Sequence, residues 1–443
     1  VANRVPVHAS GPYVTPDYRA LSVAVHTNAP PAGAFRGFGV PQSAVAQECA
    51  YDLLAEKLGM DRLAFRQMNA LQNNMPTVTG QCFETGVGIA DCLAALQPAW
   101  DAAVARVEKF NKEAEKTGSV FRKGVGVASC WYGCGNTSLP NPSTMRMGLR
   151  ADGVCVLHQG AMDIGQGANT VIAQIAADAL GVPVHSLSLL DGDTDLTPDC
   201  GKTSASRQTF VSGKAALLAG RALRETILRH ANVSDDASII IEKQRLQLVD
   251  AATGNMATID LSSLPVDDYG YVFMSEETYD PPTTPLDENG QGSPYAVYGY
   301  GAQMIELTVD RGLGQVRLDK MTTAHDVGRA INPLLVEGQI EGGVAQGIGL
   351  ALMEDYLPGR TENLHDYLIP TIGDIPEFEH IIVEVADAEG PYGAKGLGEH
   401  VLIPTAPAIV NAIRQAVGVL ITNLPATADK IRAALQAQET GHD

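Results

Sequence analysis

Residues 391–400 read Pro391-Tyr-Gly-Ala-Lys-Gly-Leu-Gly-Glu-His400: a glycine-rich loop that ends in one carboxylate, Glu399, and opens an apolar stretch running to about Val417. Without side chains at Gly393, Gly396 and Gly398 the backbone bends sharply, and its amides can approach a ligand closely. A carboxylate in a tight, partly dry turn has its charge and basicity tuned as a general base requires. The same residue also serves as a plain helix cap.

The pattern recurs along the chain. Ile164-Gly-Gln-Gly-Ala leads into a helix to Leu180, and Gly201-Lys-Thr-Ser-Ala-Ser-Arg-Gln into one from about Val211 to His230. Gly342-Gly-Val-Ala-Gln-Gly-Ile-Gly lies within an apolar helical stretch to Met353. Helix N-termini present unpaired amides and partial positive charge, so several converging on one place form a pocket for a large anionic ligand, such as a dinucleotide. Gln166 and Gln346 add amide side chains beside glycine. Two familiar phosphate patterns fail on spacing. Leu196 stands where a phosphate loop ending in Gly201-Lys-Thr needs glycine, and Gly165-Gln-Gly-Ala-Asn-Thr lacks the third glycine of a dinucleotide fingerprint. A fifth element, Ala34-Phe-Arg-Gly-Phe-Gly-Val-Pro-Gln42, places Phe35, Arg36 and Phe38 on one turn. An aromatic face there can stack on a planar heterocycle and the guanidinium can stabilise developing negative charge; alternatively the rings enter the core and Arg36 makes an ion pair.

At 443 residues the chain is long enough for two or three domains, and 45% hydrophobic content with 45 glycines suits a turn-rich α/β or α+β protein. A formal charge of -20 argues against nucleic acid or an anionic membrane surface as a main partner. No apolar run approaches the roughly 18 residues of a spanning helix, and the start lacks a signal-peptide pattern, so a cytoplasmic location is expected. Seven cysteines without CxxC spacing read as reduced thiols, with no zinc or iron–sulfur site. The first region, 1–115, has an extended start and a helix from Gln42 to Leu58. The charged run from Glu108 to Lys123 marks a boundary. The second region, 116–443, opens with a strand from Gly124 to Cys130 and a hairpin, Thr144–Arg150 and Val154–Gln159, about Asp152-Gly153. Polar, proline-rich stretches near 275–295 and 357–376 read as surface loops.

Taken together, Ala34-Phe-Arg-Gly-Phe-Gly-x-Pro-Gln, Asp163-Ile-Gly-Gln-Gly, Thr203-Ser-Ala-Ser, Glu341-Gly-Gly-Val-Ala-Gln-Gly-Ile-Gly and Gly393-Ala-Lys-Gly-Leu-Gly-Glu resemble the molybdopterin-binding subunit of the xanthine dehydrogenase/aldehyde oxidase family of molybdenum hydroxylases. The motifs occur in the family's order and cover nearly the whole chain. Trp131-Tyr-Gly-Cys-Gly-Asn and Ser204-Ala-Ser-Arg-Gln-Thr-Phe look closest to nicotinate dehydrogenase and bacterial xanthine dehydrogenase.

The resemblance implies an α+β fold with two molybdenum-cofactor-binding domains, the second carrying the catalytic glutamate, Glu399. This residue takes a proton from the water-derived oxygen that attacks a ring carbon beside nitrogen. Arg36 and Phe38 match the turn beside the metal, Phe38 being the ring that stacks on the heterocycle, with Phe35 next to it. Arg4, nine residues before Tyr13, matches a substrate-orienting arginine, the alternative being a flexible terminal residue; Trp131 or Tyr132 stands in for a second substrate aromatic that is missing near Ser129. Gly165, Gln166, Gly167, Thr203, Ser204, Ala205, Ser206, Gln346, Gly347, Lys395 and Gly396 match segments that hold molybdopterin and its tail, a cytosine dinucleotide in bacterial members. No protein atom ligates the metal. [2Fe–2S] clusters and FAD are expected on partner subunits. The family's N-terminal part is not matched here, so an N-terminal molybdopterin-binding subunit or segment is a further expected partner.

Overall fold

In the computed structural model, which describes residues 1–29, 33–250 and 253–441, the described chain forms helices and three separate sheets, an α+β arrangement. Arg4–His8 (α1), Val40–Lys57 (α2), Arg62–Asn69 (α3) and Ile89–Thr117 (α4) lead into the strand Phe121–Gly133 (β1). Ser143–Arg150 (β2) and Cys155–Gln159 (β3) precede Ala168–Leu180 (α5), Leu187–Asp191 (β4) and Gly213–Ala231 (α6). Five strands follow: Ser238–Glu242 (β5), Arg245–Val249 (β6), Met256–Asp260 (β7), Tyr271–Tyr279 (β8) and Tyr298–Asp310 (β9). Val316–Asp326 (β10), Pro333–Leu352 (α7), Glu377–Val383 (β11), Thr405–Val417 (α8) and Ala428–Thr440 (α9) complete the order.

The main sheet has the order β1-β9-β10-β11, antiparallel except for the β10–β11 pair. Successive side chains on a strand point to opposite faces. On β1, Val125, Val127 and Trp131 join α4 residues Leu93, Leu96 and Trp100 in one core, whereas Ala128 packs with α7 and α8 in another. Trp131 and Tyr132 therefore look in opposite directions. The second sheet, β4-β3-β2-β8, is covered by α5 and α6 and has its own core, built from residues such as Met147, Leu157, Ile172 and Leu223. The small sheet β5-β6-β7 is antiparallel.

The Asp152-Gly153 turn joins β2 to β3 as expected, with Gly153 at φ 87°. Two local readings are corrected. The extended start holds α1, whose first turn closes on the Val1 carbonyl. The helix read from Val211 begins as a π turn over Gln208–Ser212, before α6. The charged run at 108–117 is the solvent face of the last turns of α4, which stops at left-handed Gly118. Position 115 thus falls inside a helix whose apolar side shares a core with β1 and β9. Of the two polar stretches, β8 occupies the start of the first, and 357–376 has only a short 3-10 turn at Ile372–Asp374. All seven cysteines are free thiols, six of them buried. Among the described residues no helix is long and apolar enough to cross a membrane, and no group of three His, Cys, Asp or Glu could hold a metal ion.

Candidate active site

Five separate motifs are joined by one run of hydrogen bonds. Met162, in the loop after β3, accepts from Gln166 Nε2 at 3.1 Å and from Thr203 Oγ1 at 2.7 Å, so the first glycine loop is tied to the second. Three residues on, Ser206 Oγ accepts the Glu399 amide at 2.9 Å. Arg36 then donates through Nε to the Gly398 carbonyl, through Nη1 to Gln346 Oε1 at 3.1 Å and through Nη2 to Gln339 Oε1 at 3.0 Å. The Phe35–Phe38 turn, α7 and the loop before α8 are thereby locked around Glu399.

Local backbone chemistry explains the approach. Ala205 and Ser206 are both left-handed, at φ 58° and 53°, which costs about 1–3 kcal/mol at each non-glycine site. The strained pair is held where the Gly135 amide donates to Ala205 O at 2.7 Å. Gly396 is needed opposite: a Cβ there would lie 1.9 Å from the Ser206 carbonyl oxygen. Phe38 is likewise left-handed, at φ 52°, and stays 37% exposed, a large ring presented to solvent, while Phe35 is half-buried.

The floor of the site comes from the sheet. Tyr132, on the α8 side of β1, faces Glu399: the Tyr132 hydroxyl and Glu399 Oε2 are both buried and reach no other partner in the described chain, and the hydroxyl approaches the carboxylate outside the geometry of a full hydrogen bond. Burial raises the Tyr132 phenol well above its ordinary pKa; the Glu399 charge raises it further and Arg4 opposes. Arg4 is not a loose terminal residue. It is 5% exposed, donates to the Gly135 carbonyl at 2.6 Å, and lies over the Tyr132 and Tyr295 rings at 4.6 and 5.1 Å. Burial alone would lower its pKa, but Tyr295, Tyr132 and Glu399 together move it upward. Burial lowers Arg36, with Glu399 opposing. Next to Glu399, His400 stacks on His325 with ring centroids 5.1 Å apart; burial holds His400 well below its usual range, and lowers His325 to about 3.

Several residues singled out in the sequence go elsewhere. Trp131 stacks on Tyr298 at 4.6 Å in the α4 core, so only its neighbour Tyr132 faces Glu399. Lys395 is fully buried, its ammonium bonded to Asp326 Oδ2 at 2.5 Å and the Gly86 carbonyl at 2.6 Å. Gly347 sits in mid-helix, where a Cβ would meet the Thr405 Cβ at 2.4 Å; its role is to let α7 close on α8. Gln346 on the same helix is exposed toward Arg36. The amides of Gly165, Gly167 and Asn169 are taken up by the Asp163 carboxylate, so the α5 terminus is already capped by an anion of its own. Ser204 bends locally, its amide donating to Lys202 O at 3.0 Å. Tyr295, Gln339, Asp163 and Asp326 were not read from the sequence. An aspartate two residues before Gly165 was an available capping signal. Tyr295, Gln339 and Asp326 are distant in sequence from the motifs they support, and no spacing points to them. Two cavities, of about 650 and 590 Å³, lie away from Glu399: one beside Phe121 and Val316, the other between α5 and Tyr392.

A family model described as a molybdopterin cofactor-binding domain matches residues 94–376, and a second model of that description matches 1–70. The chain belongs to the xanthine dehydrogenase/aldehyde oxidoreductase family of molybdenum hydroxylases. It is 33% identical to the putative xanthine dehydrogenase molybdenum-binding subunit of Escherichia coli K12, over 94% of this chain and 55% of that protein. It is 36% identical to the aldehyde oxidoreductase of Megalodesulfovibrio gigas, over 96% of this chain and 44% of that protein. The crystal structure of the aldehyde oxidoreductase from Desulfovibrio desulfuricans superposes with a TM-score of 0.84 at 30% identity, covering 98% of this chain and 45% of that one. The chain thus spans about half the length of the curated relatives it matches.

The local chemistry of this hydroxylase-family site fits a molybdenum–pterin group. A buried carboxylate oxygen and a buried phenol that have only each other's loose approach are under-satisfied, which costs about 1–3 kcal/mol unless a ligand bonds to them. Arg4 and Arg36 lie close enough to Glu399 to feel its charge, and among the described residues no cluster of metal-ligating side chains is present.

Proposed function

We propose that this chain supplies the proton-accepting wall of a molybdenum hydroxylase that hydroxylates an N-heteroaromatic ring, such as nicotinate or a purine, with water as the oxygen source. The observation that carries the proposal is Glu399 Oε2, buried with no partner but the Tyr132 hydroxyl within the network that binds five motifs together. Glu399 accepts the proton of the attacking water-derived oxygen as the C–O bond forms. Arg36 and Arg4 place positive charge on two sides of it, and the Tyr132 hydroxyl is available to donate to a substrate oxygen or to the carboxylate. Phe38, with Phe35, offers a face for stacking. When bound, the molybdenum–pterin group supplies the two-electron acceptor. Gln166, Thr203, Ser204, Ala205, Ser206, Gln346 and the Gly396 backbone would hold it, with a cytosine dinucleotide tail, while the left-handed Gly165 and Gly167 shape the loop that presents Gln166.

Burial of Arg4 close to Tyr132 and Glu399 supports a substrate bearing a carboxylate or carbonyl oxygens. An aldehyde substrate is the second reading, supported by the 36% identity to an aldehyde oxidoreductase; a non-catalytic, cofactor-carrying role is the third. Electrons would leave through iron–sulfur and FAD subunits in a cytoplasmic complex. The test is the assembled complex, analysed for molybdenum and nucleotide and then assayed with nicotinate, xanthine and an aldehyde side by side. Glu399→Gln should lower turnover by roughly 10²- to 10⁴-fold at unchanged metal content. Normal turnover in that variant would remove Glu399 as the base, and an active complex without molybdenum would end the proposal.

A further inference from the structure

From Arg19 to His26 the chain is laid out with no described residue bonded to its backbone. From Arg19 to Thr27 no residue is in a helix, strand or turn, and among the described residues no backbone amide or carbonyl from Arg19 to His26 takes part in a hydrogen bond. The sequence there alternates with period two. Leu21, Val23 and Val25 fall on one side, and Ser22, Ala24 and His26 on the other, the pattern of a strand with one apolar face. The apolar side chains are 89%, 68% and 72% exposed, so the face is uncovered as well as the edge. Proteins blunt such edges with lysine, proline, bulges or a covering element, and none of these lies between Ala20 and Ala29.

We infer that residues 20–26 are an unpaired β-strand that completes a sheet with a strand of another polypeptide segment, one equivalent to the part of its relatives that this chain does not match. Two observations commit the occupant to that segment. An exposed, alternating edge is read by main-chain pairing with an extended peptide, which defines the partner as a strand with an apolar face of its own. The Escherichia coli relative matches over only 55% of its length, so nearly half of such a subunit has no counterpart here and could supply it. In sequence the strand lies ten residues before Arg36, whose guanidinium holds Gly398 and Gln346. This inference rests on the proposed function for the identity of the partner and goes beyond it in naming the surface.

The test uses the complex purified through a tag on this chain, with its companions identified by mass, and compares hydrogen exchange with that of the chain alone. Amides 20–26 should exchange freely in the isolated chain and about 100-fold more slowly in the complex, the slowing expected of a paired strand. Val23→Pro and Ala24→Pro each delete one donor, on opposite sides of the strand. One of them should abolish the complex and the other be tolerated, with the melting temperature of the isolated chain unchanged in both. Equal exchange of 20–26 in an intact, molybdenum-containing complex would overturn the strand pairing and leave the proposed function standing. Protection of 20–26 in a complex that turns over substrate without molybdenum would do the reverse. Protection in the isolated chain, with a dimer by light scattering, would make the occupant a second copy and likewise overturn the inference.

Discussion

The Lys395–Asp326 pair makes the sharpest test of how the Glu399 loop is held. Both side chains are fully buried, Nζ to Oδ2 is 2.5 Å, and the ammonium's other partner is the Gly86 carbonyl at 2.6 Å. Asp326 also accepts the amides of Gly328 at 2.9 Å and Val385 at 3.1 Å. Burial pushes the Asp326 carboxyl up even though Lys395 and these amides pull it down, so the pair as a whole contributes little net stability. Removing one partner is different. In Asp326→Asn an amide faces the ammonium and leaves a buried charge uncompensated, which should cost about 3–5 kcal/mol. Adding Lys395→Met removes that charge, so the double variant should be destabilised by less than Asp326→Asn alone, with a coupling of roughly 1–3 kcal/mol. Urea unfolding of wild type, both single variants and the double variant closes the cycle. A loss below about 0.5 kcal/mol in Asp326→Asn, or additivity of the two changes, would show that the ammonium is not buried against this carboxylate.

Acid should loosen the fold through His8 and His325, each buried and lowered to about 3 by burial first. Unfolded imidazoles bind protons from about 6.5 downward, so this stability is full above that pH and falls progressively toward 3; at pH 5 the loss is about 2 kcal/mol for each histidine. A denaturant midpoint that stays flat between pH 7 and 5 would contradict it. Gly396→Ala should destabilise by about 1–3 kcal/mol, because its methyl group meets the Ser206 carbonyl, and an unchanged melting temperature would refute that contact. Tyr132→Phe should change stability by less than about 1 kcal/mol, since the buried hydroxyl meets only the Glu399 carboxylate, and loosely, while lowering turnover in the assembled complex. A larger loss of stability would mean that the hydroxyl makes a full hydrogen bond in the folded chain.

Local grammar was the legible part. The hairpin at Asp152-Gly153, the Val40–Lys57 helix and the glycine loop feeding Ala168–Leu180 all follow from turn chemistry and three- or four-residue spacing, which act over a few positions. The central strands β9 and β10 were not read. Tyr298–Asp310 is buried almost throughout, so no alternation betrays it, and its pairing with β1 joins residues from Gly133↔Tyr298 to Phe121↔Asp310, far apart in sequence. The candidate site divides in the same way. Arg36, Ser206 and Glu399 stand in motifs whose meaning is local, and the structure brings them together. Whether Trp131 or Tyr132 faces the carboxylate depends on which side of β1 α4 covers, and the Asp326 that lies against Lys395 is set by packing that no local spacing announces.

The stack of Trp131 on Tyr298 also gives the molecule a built-in optical reporter. The chain has only two tryptophans, Trp100 and Trp131, both buried, and Trp100 Nε1 is tied to Asp61 at 2.9 Å far from the Glu399 loop. With Trp100 replaced by phenylalanine, the remaining emission would come from a single indole one residue from Tyr132. An absorbing pterin arriving beside Glu399 would quench it, so loading could be followed by fluorescence in real time, before any turnover is measured.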